Sequence, residues 1–154
     1  MSTGPSIQSV LDDLATRGIN LPEGRIFLDR FGDSPELSRS LIALIRGGGK
    51  RAGASLLWGH EHEGDPVPAV GDVGIVLDDS DEPALVTRVT SVEVCPFDQV
   101  TPEFASLEGE GDLSLSWWRH AHWLFFSREC AAIGRVPDES MPVVCAAFEV
   151  LHVL

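Results

Sequence analysis

The sequence PFDQVTPEFASLEGEGDLSLSWWRHAHWLFF, residues 96–126, decides the fold of this chain. Thr101 followed by Pro102 predicts the start of a short helix that runs to residue 107, because Thr caps helices and Pro fits their first position. A glycine-containing turn separates it from a long helix, about Leu113 to Ile133. The stretch therefore predicts two helices joined by an acidic turn.

Three carboxylates lie in that turn, Glu108-Gly109-Glu110-Gly111-Asp112. Two functional interpretations are open: a magnesium or manganese site, or one carboxylate paired with a lysine for acid–base work. The alternative is a solvated turn in which Asp112 caps the long helix, where the helix dipole favours a negative charge. We expect the capping role for Asp112 and leave the functional interpretations open for Glu108 and Glu110.

Outward from this stretch, helices and strands are mixed without a regular βαβ alternation. We expect helix 6–16, an irregular segment 19–33, a helix that Ser34 caps and Gly47 ends, strand 52–58, loop 59–72, and strands 73–77, 84–94 and 143–153. This order predicts an α+β fold, a small β-barrel of strands with helices across its openings.

The chain has ten arginines and one lysine, Lys50, which follows three glycines in Gly47-Gly48-Gly49-Lys50-Arg51. Of the two cations, the ammonium more readily shifts its pKa and works as a compact point charge, so a functional role is one interpretation. An Arg-rich composition that leaves one lysine by accident is the other. A phosphate loop is excluded, because that motif needs a strand before the glycines and Ser or Thr after the Lys.

Composition and charge limit the classes of partner. At 154 residues the chain fits one domain, and its formal net charge of −13 gives no general attraction to phosphate backbones. Duplex DNA is an unfavourable partner, whereas a nucleoside or short single strand needs only a local basic patch; alternatively, the charge serves solubility alone. Three widely spaced cysteines, no bilayer-spanning stretch and no export signal at Met1–Pro5 predict a cytoplasmic protein with buried thiols.

Aromatic and histidine side chains offer further candidates. The Trp- and Phe-rich long helix is more often core than a base-stacking platform, so Trp58, at the end of a predicted strand, is the better stacking candidate. The pairs His60/His62 and His120/His122 would form an awkward four-His metal site, since the first pair lies in a predicted loop and the side chains of the second diverge on the predicted helix. One His from each pair with a carboxylate stays open.

Several motifs together resemble the ASCH family, a relative of the PUA RNA-binding fold. They are FGDSPEL at 31–37, GGK at 48–50, SLLW at 55–58, PAVGD at 68–72, PFDQV at 96–100, EGEGD at 108–112, Trp118, His122, Phe125, Phe126 and VVC at 143–145. FGDSPEL and EGEGD suggest the larger bacterial subgroup. The resemblance implies an N-terminal helix and connector at 1–24 and, at 25–154, a PUA-like barrel with flanking helices and a cleft for RNA or a modified nucleoside.

The resemblance also implies site residues. Some ASCH proteins are similar to amidohydrolases that deacylate N4-acylcytidine with a Lys, a Thr and a Glu, and others look like metal-assisted ribonucleases for single-stranded RNA. The family's catalytic Lys and Glu fall on Lys50 and Glu108. Its two threonines fall on Arg51 and Gly53, and its further cleft glutamates on Gly59 and Ala146, so four polar or charged family positions differ here.

Three hypotheses follow. The first is a binding domain for single-stranded RNA or a nucleoside, with ribonuclease activity assisted by Mg or Mn as an open addition. An amidohydrolase comes second, because Gly53 lacks a nucleophilic hydroxyl and Ser55 lies about 6.6 Å further along the strand. A non-catalytic interaction domain with a decayed site is third. We predict the catalytic residues Lys50 and Glu108 and the binding residues Arg51, Ser55, Trp58, Glu110, Trp118 and His122.

Overall fold

The computed structural model describes residues 4–154. The prediction that Met1–Pro5 carries no export signal falls partly on residues 1–3, which lie outside the described residues. The elements are α1 (Ile7–Thr16), β1 (Ile26–Asp29), α2 (Pro35–Arg46), β2 (Ala52–Leu56), α3 (Leu57–Glu63), β3 (Val73–Leu77), β4 (Pro83–Pro96), a 3₁₀ turn (Phe97–Gln99), α4 (Pro102–Glu108), α5 (Leu115–Ala132) and β5 (Pro142–Val153).

The predicted α+β class is confirmed. The five strands form one mixed sheet in the order β1-β3-β4-β5-β2, in which β1 pairs parallel to β3 and the other pairs are antiparallel. Among residues 4–154 no hydrogen-bonded ladder joins β1 to β2. Nevertheless, a Cβ added at Gly53 of β2 would lie 3.7 Å from Cε1 of Phe31, which follows β1 by two residues. The sheet therefore curves so that its two edge regions approach each other.

The predicted helix caps are confirmed in two cases of three. Ser34 accepts a hydrogen bond from the Leu37 amide at the start of α2, and Thr101 does the same for α4. The capping prediction for Asp112 is wrong, because Ser114 caps α5 and Asp112 instead accepts from the Ser114 amide at 2.9 Å. Asp112 thus stabilises the turn just before the helix, and α5 begins two residues later than expected.

Two segments differ from the expected secondary structure. Within the segment 19–33 predicted as irregular, Ile26–Asp29 forms strand β1. The strand expected at 52–58 ends at Leu56, and α3 replaces both its end and the first part of the expected loop. Trp58 packs from α3 against the core cluster under α5, a tertiary contact that overrides the local strand pattern.

Three apolar clusters hold the helices against the sheet. Trp118 and Phe126 of α5 belong to the largest cluster and are 1% and 0% exposed, as the core interpretation predicts, whereas Leu124 and Phe125 of the same helix are exposed. Ile42 and Ile45 of α2 contribute to the second cluster and Val10 and Leu14 of α1 to the third. All three cysteines are free thiols, two of them buried. Of the helices in residues 4–154, none has the length and apolar character needed to cross a bilayer.

Asp29 at the end of β1 is largely buried, and its carboxylate lies against Gly74 of β3. Burial and, secondarily, the charge of Asp72 raise its pKa from the ordinary 3.8 to about 6. A carboxyl whose pKa rises on folding stabilises the fold at low pH, and that stabilisation is lost as pH rises through the folded value. We expect Asp29→Asn to raise the free energy of unfolding by about 1–3 kcal/mol at pH 7 and to change it little at pH 4.

Thermal unfolding of the Asp29→Asn variant, followed by circular dichroism between pH 4 and pH 8, checks this sign. Asp65 is an exposed carboxyl of the same type, so Asp65→Asn is the matched control and should leave Tm unchanged across the range. Equal Tm values for parent and Asp29→Asn at pH 7 would contradict a raised pKa of the Asp29 carboxyl.

Candidate functional site

Lys50 lies at the junction between α2 and β2, and its side chain is buried, only 2% exposed. Its Nζ is 3.2 Å from Glu108 Oε2 and 3.0 Å from Glu110 Oε2. The structure therefore brings together the two residues predicted as catalytic and adds a second carboxylate. The ammonium is not in an open cleft: it lies inside the protein, between two acidic side chains.

The turn after α4 carries both carboxylates to Lys50. Glu108 is the last residue of α4, and Gly109 follows in the left-handed region with φ 71°. A Cβ at Gly109 would overlap the carbonyl oxygen of Gly49, and the Arg51 amide donates to the Leu107 carbonyl at 2.8 Å. The turn is thus packed directly on the backbone of the Lys50 segment, which fixes the distance between the charged groups.

His122 enters the cluster from α5. Its ring stacks on Trp118, with centroids 4.1 Å apart and an interplanar angle of 14°. The His122 Nδ1 lies 3.0 Å from the Trp118 carbonyl oxygen, and Nε2 lies 3.4 Å from Glu108 Oε2. Trp118, predicted as a binding residue, is buried in the core, and what it contacts in the cluster is the His122 ring.

The two carboxylates have opposite pKa shifts. Burial alone would raise the pKa of Glu108, but the hydrogen bond with His122 and the charge of Lys50 outweigh burial and lower it to about 2. For Glu110 burial prevails over the charge of Lys50, and Glu108 adds to it, so the pKa of Glu110 is raised. Glu108 is therefore a fixed negative charge, whereas Glu110 is the carboxylate that more easily takes up a proton.

The magnesium or manganese site, one of the interpretations that the sequence left open, does not fit this cluster. One ligand atom each from Glu108, Glu110 and His122 lie within 4.8 Å of one another, the one such group among residues 4–154. However, Lys50 Nζ already contacts both carboxylates, and hard divalent cations prefer six or more oxygen ligands. The ammonium takes the place that a metal ion would need, so we derive no step through a metal. The four-His arrangement does not form in the described part of the chain either.

The other predicted binding residues each have a different partner. Arg51 Nη1 donates to the carbonyls of Ile45 and Lys50, both at 2.8 Å, so its guanidinium closes the end of α2. Ser55 Oγ lies 2.8 Å from His60 Nε2, and the Arg135 guanidinium covers the Trp58 ring at 4.4 Å. Whether these residues contact a ligand stays a prediction.

Three of the positions at which the resemblance implied other residues lie on β2, β5 and α3. Gly53 and Ala146, where the resemblance implied polar residues, are direct partners in the β2–β5 ladder. At Gly59, the carboxylate of Glu129 from α5 fills the space that a Cβ would take. Sequence reasoning missed Glu129, because nothing in the sequence relates it to residue 59.

Phe31 was also missed as a candidate, although it lies in the FGDSPEL motif. Its ring centroid is 5.9 Å from Lys50 Nζ, and it lines a cavity of about 250 Å³ beside the loop that follows β1. Lys50 itself does not line that cavity. The cavity therefore contacts Phe31, beside the cluster, but not the Lys50 side chain.

These features define an α+β domain in which a buried Lys–Glu pair joins the end of α4 to the start of β2. The chain belongs to the ASCH domain family, whose model matches residues 27–152. It is similar to an ASCH domain from Lactobacillus crispatus JV V101, with 33% identity over 93% of this chain and 92% of the other and a TM-score of 0.81. It is also similar to a protein from Enterococcus faecalis V583, with 29% identity over 96% and 91% and a TM-score of 0.79. No curated protein matches the chain.

Proposed function

We propose that this ASCH domain binds single-stranded RNA or a modified nucleoside and cleaves RNA at the cluster of Lys50, Glu108, Glu110 and His122. The observation that carries the proposal is the burial of one ammonium between two carboxylates with opposite pKa shifts. Pairs of titratable groups whose environments separate their pKa values are typical of acid–base sites. A decayed site would not be expected to retain such a costly arrangement of buried charges.

The distribution of arginines favours a short substrate. Most of the arginines are paired with carboxylates of the same chain: Arg17 with Asp13, Arg25 with Asp72, Arg30 with Asp81, Arg39 with Asp79, Arg88 with Glu149 and Arg128 with Asp33. Their charges are therefore locally compensated on a chain of net charge −13. Long nucleic acids depend on uncompensated basic surface, whereas a nucleoside or a few nucleotides do not.

RNA supplies the nucleophile that the protein lacks. Residue 53 is glycine, so no hydroxyl is present at the family's threonine position. The 2′-OH of RNA can attack the adjacent phosphorus, and the protein then needs to provide only proton transfer and charge stabilisation. Amidohydrolase activity is the second candidate, favoured by the 3.2 Å contact between Lys50 and Glu108, the positions of the family's Lys and Glu.

The test uses the full chain with three substrates: a short single-stranded RNA, the DNA of the same sequence, and N4-acetylcytidine. We expect cleavage of the RNA alone. Gly53→Thr is expected to gain N4-acetylcytidine deacylation, because the nearest atom to a new Cβ, Phe31 Cε1, is 3.7 Å away and leaves room. Gly53→Val, of the same shape without the hydroxyl, is the matched control.

Each result has a clear consequence. Intact RNA after prolonged incubation refutes the proposed function as a ribonuclease, and no measurable RNA or nucleoside affinity refutes the proposed binding as well. Deacylation by the parent protein makes the amidohydrolase the correct function. If Gly53→Thr and Gly53→Val behave alike, Lys50 and Glu108 are not arranged for acyl transfer.

A further inference from the structure

We infer that Glu110, and not Glu108, exchanges a proton with the substrate, while Glu108 and Lys50 act as positioning residues for it. The inference rests on the proposed function and identifies the acid–base group within it. The family resemblance places the catalytic glutamate at Glu108, so the structure assigns the role to a different side chain.

Access distinguishes the two carboxylates. The side chain of Glu110 is 18% exposed, whereas those of Lys50 and Glu108 are each 2% exposed. His122 is the other member of the cluster with access to solvent, at 12%. A group that transfers a proton must reach the reacting atom within hydrogen-bond distance. In this conformation Glu110 is the carboxylate that a bound substrate can touch.

Bonding distinguishes them as well. Glu108 Oε2 lies within 3.4 Å of both Lys50 Nζ and His122 Nε2, so its charge is held by two partners. In the described part of the chain, Glu110 has one ion pair, with Lys50 at 3.0 Å, and its side-chain hydrogen bond with Glu108 favours the protonated form of Glu110. The lowered pKa of Glu108 and the raised pKa of Glu110 agree with this difference. Proton transfer near neutral pH suits the group whose pKa is raised toward that range.

The turn holds Glu110 between two close backbone contacts. Gly109 packs on the Gly49 carbonyl, and a Cβ at Gly111 would overlap the ring of Trp117. Both glycines have positive φ, 71° and 60°. Glu110 is therefore fixed from both sides before any substrate arrives, as catalysis by positioning requires.

In the RNA cleavage that we infer, one proton moves from the 2′-OH to Glu110 and then to the leaving oxygen. As O2′ of the RNA attacks phosphorus, the 2′-OH proton passes to the Glu110 carboxylate. The O2′–P bond forms, the P–O5′ bond breaks, and the same proton passes from Glu110 to O5′. The products are a 2′,3′-cyclic phosphate and a 5′-hydroxyl, and the carboxylate is regenerated. The Lys50 ammonium stays beside Glu110 throughout.

Two measurements test the inference. The first is a pH titration of the folded protein labelled with ¹³C at the glutamate side-chain carboxyls, with Glu110→Gln and Glu108→Gln used for assignment. We expect Glu110 to titrate above ordinary glutamates and Glu108 to remain ionised to strongly acidic pH. The second is the pH–rate profile for the short single-stranded RNA. Glu110→Gln should slow cleavage about 100-fold or more, and Glu108→Gln should move the midpoint of the profile to lower pH.

Glu103→Gln, an exposed change of the same type in the first turn of α4, is the control and should keep the parent rate. The inference is overturned if Glu108 is the carboxyl that titrates near neutral pH, or if Glu110→Gln cleaves within about threefold of an active parent. A parent that cleaves no RNA refutes the proposed function instead, and the titration still decides which carboxyl exchanges its proton.

Discussion

Lys50→Met is expected to lower the free energy of unfolding by about 3–5 kcal/mol at neutral pH, because it leaves Glu108 and Glu110 without their ammonium. Methionine keeps much of the apolar stem, so the loss comes from the uncompensated carboxylates and not from a large cavity. Against a typical total of about 5–15 kcal/mol, this brings the domain close to unfolding. Chemical denaturation of parent and variant measures the difference.

Two comparisons separate the ion pair from other causes. The double variant Lys50→Met/Glu108→Gln should recover much of the lost stability, since removing both partners leaves no buried unpaired charge at Glu108. Arg46→Met, an exposed cation at the end of α2, should cost less than about 1 kcal/mol. A loss below about 1 kcal/mol for Lys50→Met would mean that the buried pair does not form in solution.

The pH dependence has a defined sign. Folding lowers the pKa of Glu108 from 4.5 to about 2, so its contribution is present above the ordinary value and is lost as pH falls through the folded one. The difference between parent and Lys50→Met should therefore shrink below about pH 4.5. Because Lys50→Met is expected to destabilise the fold, a loss of activity in a Lys50 variant must be compared with its stability. Unfolding alone would abolish cleavage.

The pairing of Lys50 with Glu108 was predictable, because both positions follow from motifs that resemble the ASCH family. The burial of the ammonium was not. Lysine is among the residues least often buried, and the sequence around it contains three glycines, which suggests an exposed turn. The α4–α5 turn packs on the Gly49 carbonyl and brings both carboxylates to the ammonium, and this contact joins segments about sixty residues apart.

Local signals predicted the elements with strong caps and missed those that depend on distant partners. Ser34 and Thr101 marked their helices correctly. Strand β1 has four residues, all half-buried, and exists because β3 pairs with it. Helix α3 has no side-chain cap and contains Gly59, so the local pattern predicted the end of a strand and then a loop, whereas the helix packs Trp58 against the cluster under α5.

Gly109→Ala is expected to lower the free energy of unfolding by about 3 kcal/mol or more and to move Glu110 away from Lys50. Part of the cost is the left-handed backbone, about 1–2 kcal/mol for a residue with a Cβ. The rest arises because the new methyl group would overlap the Gly49 carbonyl oxygen, which is backbone and cannot rotate aside. The turn must then separate from the Lys50 segment.

Gly134→Ala separates these two causes. Gly134 has φ 74°, almost the same as the 71° of Gly109, but nothing lies within 4 Å of its added Cβ. It should therefore show the backbone cost alone, and the excess for Gly109→Ala measures the contact. In Gly109→Ala we also expect the Glu110 carboxyl to titrate closer to an ordinary glutamate, because the displaced side chain gains water and its burial is what raises its pKa. Equal losses in the two variants, with an unchanged Glu110 titration, would show that this contact does not hold the acidic turn against Lys50.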